Sequence, residues 1–286
     1  MQRSETLTFT MADGLQIVST AFGEKAHPAI LLLHGAGQTR HSWDSTAKSL
    51  ATQGFRAIAV DTRGHGESGW SSGGDYDIDT LISDLKIIVK CVRVQGSLPI
   101  VIGASLGGIT ALLAAGETPD PLFSALVLVD ITPRVDPEGV ARILQFMNGY
   151  SGGFESLEQA AKAIAAYQPH RRQARSGDLG GLLKNLRLKA DGRYYWHWDP
   201  LLLEHVSHFG EEIINRQKAA ARSLTLPVLL VHGKLSEIVS RETADEFLQI
   251  VPHAKYVDVA DAAHMVASDD NEVFAAAVRE FLLKGH

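Results

Sequence analysis

Residues 98–110 read Leu98-Pro99-Ile100-Val101-Ile102-Gly103-Ala104-Ser105-Leu106-Gly107-Gly108-Ile109-Thr110, an apolar run that stops at a serine between glycines and then turns apolar again. The segment 100–102 is β-branched throughout, which is typical of a strand buried on both faces. The segment 107–115 is small and apolar enough to form a helix packed on a sheet. The pattern therefore places Ser105 on a strand-to-helix turn.

The residues around Ser105 suit a nucleophile. A sharp strand-to-helix turn needs small residues two positions before and after the serine, because a side chain there would collide as the backbone reverses. Gly103 and Gly107 meet this requirement. The start of the following helix also directs backbone N–H groups toward developing negative charge. By itself the motif also fits a capping serine in a glycine-rich junction.

Strand-like and helix-like segments alternate along most of the chain. Residues 5–20 predict an opening antiparallel hairpin around Asp13 and Gly14. Later β-runs alternate with helical segments, which indicates an α/β protein with a mostly parallel sheet and helices on both faces. Functional side chains of such sheets lie at the carboxyl ends of the strands. The residues predicted at that edge are Ala36, Asp61, Ser105, Asp130, Glu237 and His264.

The alternation stops between residues 134 and 224, where the pattern predicts short helices and no β-run. We therefore divide the chain into a core, residues 1–133 and 225–286, and a helical insertion, residues 134–224. The centre of the insertion, residues 194–200, holds two of the four tryptophans and two of the six tyrosines. Such a cluster fits either core packing or the ceiling of a pocket.

A serine nucleophile needs a base and an acid that orients the base. Among the twelve histidines His264 is the best placed, because it follows the last strand in a loop of small residues. The acid is less well determined. Glu237, just past the penultimate strand, is the preferred residue, and Asp130 and Asp261 remain open because the chain order serine, acid, histidine allows all three.

Five motifs follow one another along the chain: His34-Gly35-Ala36-Gly37, residues 61–68, the turn at Ser105, and the loops at Glu237 and His264. In this order they resemble the α/β-hydrolase superfamily over nearly the whole chain, and small capped bacterial carboxylesterases and peroxidase-like hydrolases in particular. The resemblance implies a helical cap between strands six and seven, which matches the insertion. It also implies an oxyanion hole formed by the backbone N–H groups of Ala36 and Leu106, with Gly35 beside it.

The expected reaction is hydrolysis of a carboxylic ester through an acyl-enzyme. A serine nucleophile argues against the branches that hydrolyse epoxides or haloalkanes, because these need a carboxylate. Lactonase, carbon–carbon bond hydrolase and cofactor-free perhydrolase activities remain open, as does a ligand-binding receptor of the same fold. Apolar cap residues predict a substrate with a medium apolar acyl or aryl group. The predicted substrate-binding residues are Phe146, Met147, Trp196 and Trp198 of the cap, together with Gly35.

Composition limits the remaining possibilities. The net charge of −6 over 286 residues offers no basic surface for nucleic acid or an anionic membrane. The N-terminus lacks an apolar signal core, and no apolar stretch approaches the roughly 20 residues of a membrane helix, so we expect a cytoplasmic protein. One cysteine, Cys91, excludes an intramolecular disulfide and a cysteine-based metal cluster. The expected chemistry needs no metal or organic cofactor, and the sequence does not indicate an oligomeric state.

Overall fold

The computed structural model describes residues 4–94, 96–167, 179–206, 210–259 and 272–283. Its centre is an eight-stranded sheet in the order β1-β2-β4-β3-β5-β6-β9-β10. The first two pairings, β1 with β2 and β2 with β4, are antiparallel, and the other five are parallel. The strands of this sheet are β1 (Ser4–Thr10), β2 (Gln16–Phe22), β3 (Ala29–Leu33), β4 (Arg56–Val60), β5 (Ile100–Ala104), β6 (Ala125–Val129), β9 (Val228–Gly233) and β10 (Lys255–Val259).

Helices cover both faces of the sheet, as predicted. On one face α2, α3, α7 and α8 pack into the larger apolar core, and on the other α1 and α9 enclose a second core. Asp77 caps the start of α2, because its side chain accepts a hydrogen bond from the Thr80 N–H at 2.8 Å. These helices are α1 (Asp44–Thr52), α2 (Ile78–Val92), α3 (Leu106–Glu117), α7 (Glu211–Arg222), α8 (Arg241–Ile250) and α9 (Glu272–Leu283).

The parallel strands bring several loops to one edge of the sheet. Leu33 of β3 pairs with Gly103 of β5, and Ala104 pairs with Val129 of β6. Val129 in turn pairs with Val231 of β9. Every residue of β3, β5, β6 and β9 is buried, so these loops start from a rigid base. The next residues along each strand therefore lie side by side at the carboxyl edge.

The insertion after β6 is not wholly helical, so the prediction of no β-run between 134 and 224 was wrong. It contains α4 (Pro137–Asn148), α5 (Leu157–Tyr167) and α6 (Leu202–Val206), but also an antiparallel hairpin, β7 (Leu186–Leu188) with β8 (Tyr194–Trp196). Each strand has three residues, too few for an alternating pattern to stand out. The insertion does lie between the sixth and seventh strands of the central sheet.

The last helix of the predicted insertion, α7, packs on the core of the chain rather than on the hairpin. Ala220 and Ala221 belong to the same apolar core as α3. Contact between the two helices is close, because a Cβ built on Gly116 of α3 would lie 2.3 Å from the Ala220 carbonyl oxygen. Within the described ranges, no helix is long and apolar enough to cross a membrane.

Candidate active site

Ser105 forms a strained turn between β5 and α3. Its backbone has φ +47° and ψ −118°, a region that residues other than glycine rarely occupy. The glycines are required as predicted: a Cβ on Gly103 would lie 2.6 Å from the Gly107 carbonyl oxygen, and one on Gly107 would lie 2.7 Å from the Leu33 carbonyl oxygen. The Ser105 side chain makes no capping hydrogen bond to α3. The hydroxyl is therefore not used as a helix cap.

The loop 34–38 lies against Ser105. A Cβ on Gly35 would come within 3.1 Å of the Ser105 Cβ. The Gly35 N–H donates to the Gln38 side chain at 2.9 Å, and the Gly37 N–H donates to His65 Nε2 at 3.2 Å. Within the described part of the chain, the N–H groups of Ala36 and Leu106 have no hydrogen-bond acceptor. The N–H groups of Gly35 and Gly37, on either side of Ala36, are thus hydrogen-bonded within the protein, while the N–H group of Ala36 can donate to another acceptor.

Two buried histidines hold the loop 34–38 in place. His34 donates from Nδ1 to the Gly35 carbonyl at 2.8 Å and accepts from the Thr62 N–H at Nε2. His65 donates from Nδ1 to the Arg63 carbonyl at 3.0 Å and accepts the Gly37 N–H at Nε2. Burial lowers the pKa of His34 to about 4 and that of His65 to about 3. Both rings are therefore neutral at pH 7 and brace the loop rather than take part in proton transfer.

Asp61, one of the residues predicted at the edge, is used structurally. Its carboxylate accepts from the backbone N–H of Arg40 at 2.6 Å and of Glu67 at 3.0 Å, and it pairs with the Arg40 guanidinium. The site is tightly packed, since a Cβ on Gly66 would lie 2.1 Å from Asp61 Oδ2. Asp61 thus fixes the 61–68 loop beside the loop 34–38.

Asp130 lies at the carboxyl end of β6, next to Ser105. The Ser105 N–H donates to the Val129 carbonyl at 3.4 Å, one residue before Asp130. Asp130 is fully buried and has φ +51°; among the described residues, it and Ser105 are the two non-glycine residues with positive φ. Its Oδ1 accepts from the Gly233 N–H at 3.1 Å and its Oδ2 from the Ser236 hydroxyl at 2.6 Å.

Glu237 has different surroundings. Its side chain is 38% exposed, and its carboxylate pairs with Arg142 of the cap helix α4 at 3.5 Å. Burial and the negative charge of Glu237 raise the pKa of Tyr167, at the end of α5, to about 12. A Cβ on Gly139 of α4 would lie 2.0 Å from the Glu237 carbonyl oxygen, and the Asp136 N–H donates to the Ile238 carbonyl at 2.8 Å. We call this junction between α4 and the 234–239 loop the cap contact.

His264 and Asp261 lie outside the described residues. The strand that precedes them, β10, ends at Val259, which pairs with Gly233 and accepts the Lys234 N–H at 3.1 Å. Gly233 is also the residue whose N–H binds Asp130. β10 therefore ends next to the end of β9, whose last residue binds the Asp130 carboxylate.

The predicted substrate-binding residues of the cap belong to two apolar clusters. Met147 and Trp198 form a small apolar cluster against Ala36, and the Met147 Cε lies 2.9 Å from a Cβ built on Gly37. Phe146 instead is partly buried and packs against the apolar cluster of the cap itself, stacked on Tyr167 at 4.2 Å between ring centroids. Trp196 contacts both clusters. The apolar surface of the cap nearest the loop 34–38 is thus made by Met147 and Trp198.

The cap is also hydrogen-bonded directly to the 61–68 loop. The Gly66 N–H donates to the His197 carbonyl at 2.7 Å, and the Asp199 N–H donates to the Gly64 carbonyl at 2.8 Å. The Tyr76 hydroxyl donates to Asp199 Oδ2 at 2.6 Å. These bonds position the segment that carries Trp198.

Sequence reasoning did not identify the contact of Ser236 with Asp130 or the contact of His65 with Gly37. Neither contact has a sequence signal, because each joins loops that are distant along the chain. Within the described ranges, no group of three or more His, Cys, Asp or Glu side chains is placed to hold a metal ion.

Comparison with known proteins agrees with this architecture. Residues 28–270 match the model of the alpha/beta hydrolase fold family. The chain is 29% identical over 267 residues to the esterase Rv0045c of Mycobacterium tuberculosis, covering 89% of this chain and 83% of that protein. It is also 29% identical over 269 residues to the mouse (Mus musculus) sn-1-specific diacylglycerol lipase ABHD11, covering 91% and 82%.

Solved structures show the same fold. The crystal structure of E-2-(acetamidomethylene)succinate hydrolase aligns with a TM-score of 0.84 at 22% identity, covering 98% of this chain and 99% of that one. A structure of the M. tuberculosis esterase aligns with a TM-score of 0.77 at 27% identity, covering 99% and 92%. The strained serine turn, the sheet order and these matches lead to one conclusion: the chain belongs to the α/β-hydrolase family and is an enzyme of the esterase type.

Proposed function

We propose that the enzyme hydrolyses carboxylic esters of small molecules through an acyl-enzyme on Ser105, with His264 as base. The observation that carries this proposal is the φ of +47° at Ser105, between two glycines that cannot accept a side chain. Strain of this kind persists only where the surroundings impose it, and it is concentrated at functional sites. It keeps the hydroxyl at the start of α3, beside the loop 34–38.

The proposed reaction follows from the groups around Ser105. His264 takes the hydroxyl proton as Ser105 Oγ bonds to the ester carbonyl carbon, and the carbonyl oxygen becomes an oxyanion. The N–H groups of Ala36 and Leu106 donate to this oxyanion, each contributing about 3 kcal/mol in the transition state. His264 then protonates the leaving alkoxide. Water, deprotonated by the same histidine, hydrolyses the acyl-enzyme and regenerates Ser105.

For the acid that orients His264, the geometry favours Asp130 over Glu237, the reverse of the preference from the sequence. A triad acid has to be desolvated, fixed and ionised beside the base. Asp130 is fully buried, receives hydrogen bonds from Gly233 and Ser236, and directly follows β6, the strand that pairs with β5 before Ser105. Glu237 is partly exposed and paired with Arg142. The ionised Asp130 would stabilise the imidazolium that forms during attack.

The apolar surface near the loop 34–38 supports a substrate with an apolar acyl or aryl group. Met147 and Trp198 are buried against Ala36, one of the two proposed oxyanion donors. An acyl chain extending from an oxyanion at Ala36 would meet these side chains first. Apolar groups bound there lose contact with water, which favours such substrates over polar ones.

The test is covalent labelling of Ser105 by a fluorophosphonate, located by mass spectrometry, together with the turnover of a short p-nitrophenyl ester. Ser105→Ala should abolish both labelling and turnover while the melting temperature stays near that of the wild type. Ser97→Ala, at an exposed serine before β5, is the matched control and should keep both activities. Full turnover by Ser105→Ala would overturn the proposal.

A further inference from the structure

The Ser236 hydroxyl donates its proton in a hydrogen bond to Asp130. The Ser236 oxygen accepts hydrogen bonds from the backbone N–H groups of Ile238 at 3.2 Å and Val239 at 3.0 Å. A hydroxyl has two acceptor lone pairs and one donor proton. Because both lone pairs are occupied, the proton is left for the contact at 2.6 Å with Asp130 Oδ2. The direction of this hydrogen bond is therefore fixed by the surrounding backbone.

The 233–239 loop holds both oxygens of the Asp130 carboxylate. The Gly233 N–H binds Oδ1 at 3.1 Å, and the Ser236 hydroxyl binds Oδ2. Two donors at different oxygens fix the rotation of the carboxylate about its Cβ–Cγ bond, a torsion that otherwise covers a broad range of angles. In both bonds the carboxylate oxygen is the acceptor, since the backbone N–H and the proton of Ser236 are donors. Ser236 itself is fixed to its own loop, because its N–H donates to the Gly233 carbonyl at 2.8 Å.

We propose that Ser236 is a positioning residue for ester hydrolysis, whose hydroxyl holds the Asp130 carboxylate in the orientation that the catalytic imidazole requires. This inference rests on the proposed role of Asp130 as the triad acid. Without the Ser236 hydroxyl, only the Gly233 N–H remains of these two donors, and the carboxylate can rotate out of alignment. Misalignment of the acid slows proton transfer in both chemical steps but leaves the apolar contacts of the substrate unchanged.

A purely structural role for Ser236 makes different predictions. Its oxygen also accepts two backbone hydrogen bonds, so its loss could loosen the 234–239 loop and the cap contact. Loosening of the loop would slow the enzyme equally whether residue 130 is aspartate or asparagine. Positioning of Asp130 requires the carboxylate, so the two roles are separated by combining Ser236→Ala with Asp130→Asn.

The experiment measures kcat and KM for a p-nitrophenyl ester in Ser236→Ala, Ser236→Thr, Asp130→Asn and the double variant Asp130→Asn/Ser236→Ala. Because a hydrogen bond to a charged group is lost, Ser236→Ala should lower kcat about tenfold to a hundredfold, with KM within about twofold. Ser236→Thr keeps the hydroxyl and should restore most of the rate. In the Asp130→Asn background, Ser236→Ala should slow the enzyme by less than about twofold.

The matched control is Ser240→Ala in the following turn. Ser240 caps α8 by accepting the Thr243 N–H at 3.2 Å, so its loss should lower the melting temperature and leave kcat unchanged. An unchanged kcat in Ser236→Ala, with kcat strongly lowered in Asp130→Asn, would overturn the positioning role alone. Equal slowing by Ser236→Ala in both backgrounds would overturn it in favour of a structural role. Wild-type kcat in Asp130→Asn would instead overturn the acid assignment, and the positioning role with it.

Discussion

Asp130 and Glu237 follow neighbouring strands of one sheet, yet they lie in opposite surroundings. Asp130 comes directly after β6, is fully buried and has a left-handed backbone. Glu237 lies four residues past the end of β9, is partly exposed and binds the cap through Arg142. The carboxylate closer to its strand end is held beside Ser105, while the more distant one holds the cap. We infer that Asp130 serves catalysis and that Glu237 serves attachment of the cap.

The largest effect should come from removing the Asp130 charge. Asp130→Asn keeps the shape of the side chain but cannot stabilise an imidazolium, so kcat should fall by about 10³- to 10⁴-fold. Glu237→Gln should keep kcat within about threefold, because its partner Arg142 is solvent-exposed. Steady-state kinetics on a p-nitrophenyl ester checks both, with melting temperatures to verify folding. A large loss in Glu237→Gln and a small loss in Asp130→Asn would reverse the assignment.

Much of this arrangement could be predicted from the sequence, but the choice of acid could not. Repeated buried strands followed by polar loops predict the sheet and the residues at its edge, because parallel strands end together. The glycines at 103 and 107 predict the serine turn, because a local clash requires them. Asp130 and Glu237 both satisfy the chain order of a triad. Only their burial and partners separate them, and these depend on contacts between distant loops.

The hairpin of the cap was missed for a related reason. A strand of three residues carries little periodicity, and β7 and β8 are recognisable by their mutual pairing rather than by their own patterns. The sequence shows the aromatic residues of β8 as a cluster. It does not show that Phe146 packs against the cap while its neighbour Met147 packs against the loop 34–38. Residues next to each other on a helix point in different directions.

The second largest effect should be a loss of folding stability at acidic pH, caused by the buried His34 at the start of the loop 34–38. Burial lowers the pKa of His34 from its ordinary 6.5 to about 4. The unfolded chain therefore takes up protons first as pH falls, so stability is constant above about pH 6.5 and decreases between 6.5 and 4. His34 should account for on the order of 3 kcal/mol of this loss. Urea unfolding at several pH values checks it.

The control for the pH effect is His34→Gln. It should make the dependence between pH 6.5 and 4 shallower by the share of His34, while buried His65, whose pKa is lowered to about 3, keeps its own share. His253→Gln, at an exposed histidine, should leave the dependence as in the wild type. An equal slope in His34→Gln and the wild type would show that another group causes the loss of stability.

The third effect should be a loosening of the cap contact. In Gly139→Ala the new methyl group would meet the Glu237 carbonyl oxygen at 2.0 Å, so α4 has to move away. Overpacking of this kind costs about 1 to 3 kcal/mol. We expect a lower melting temperature and a raised KM, since Met147 on α4 borders the loop 34–38. Gly152→Ala, where a Cβ has open space, is the matched control and should change neither quantity.

The smallest effect should come from Arg142→Ala. The pair of Arg142 with Glu237 is half exposed on the arginine side, so its loss should cost less than about 1 kcal/mol. Because exposed charges are screened, the difference in stability from the wild type should shrink as salt is raised. Thermal unfolding at low and high salt measures it. A loss of several kcal/mol that salt does not change would mean that the cap depends on this pair.

The most direct test of which carboxylate orients the catalytic histidine is proton NMR of the far-downfield imidazole N–H that is hydrogen-bonded to a carboxylate. The signal is recorded for the wild type, Asp130→Asn and Glu237→Gln, with His264→Gln to assign it. If Asp130 is the acid, the signal persists in Glu237→Gln and disappears in Asp130→Asn. Its persistence in Asp130→Asn together with its loss in Glu237→Gln would contradict the division of roles between the two acids.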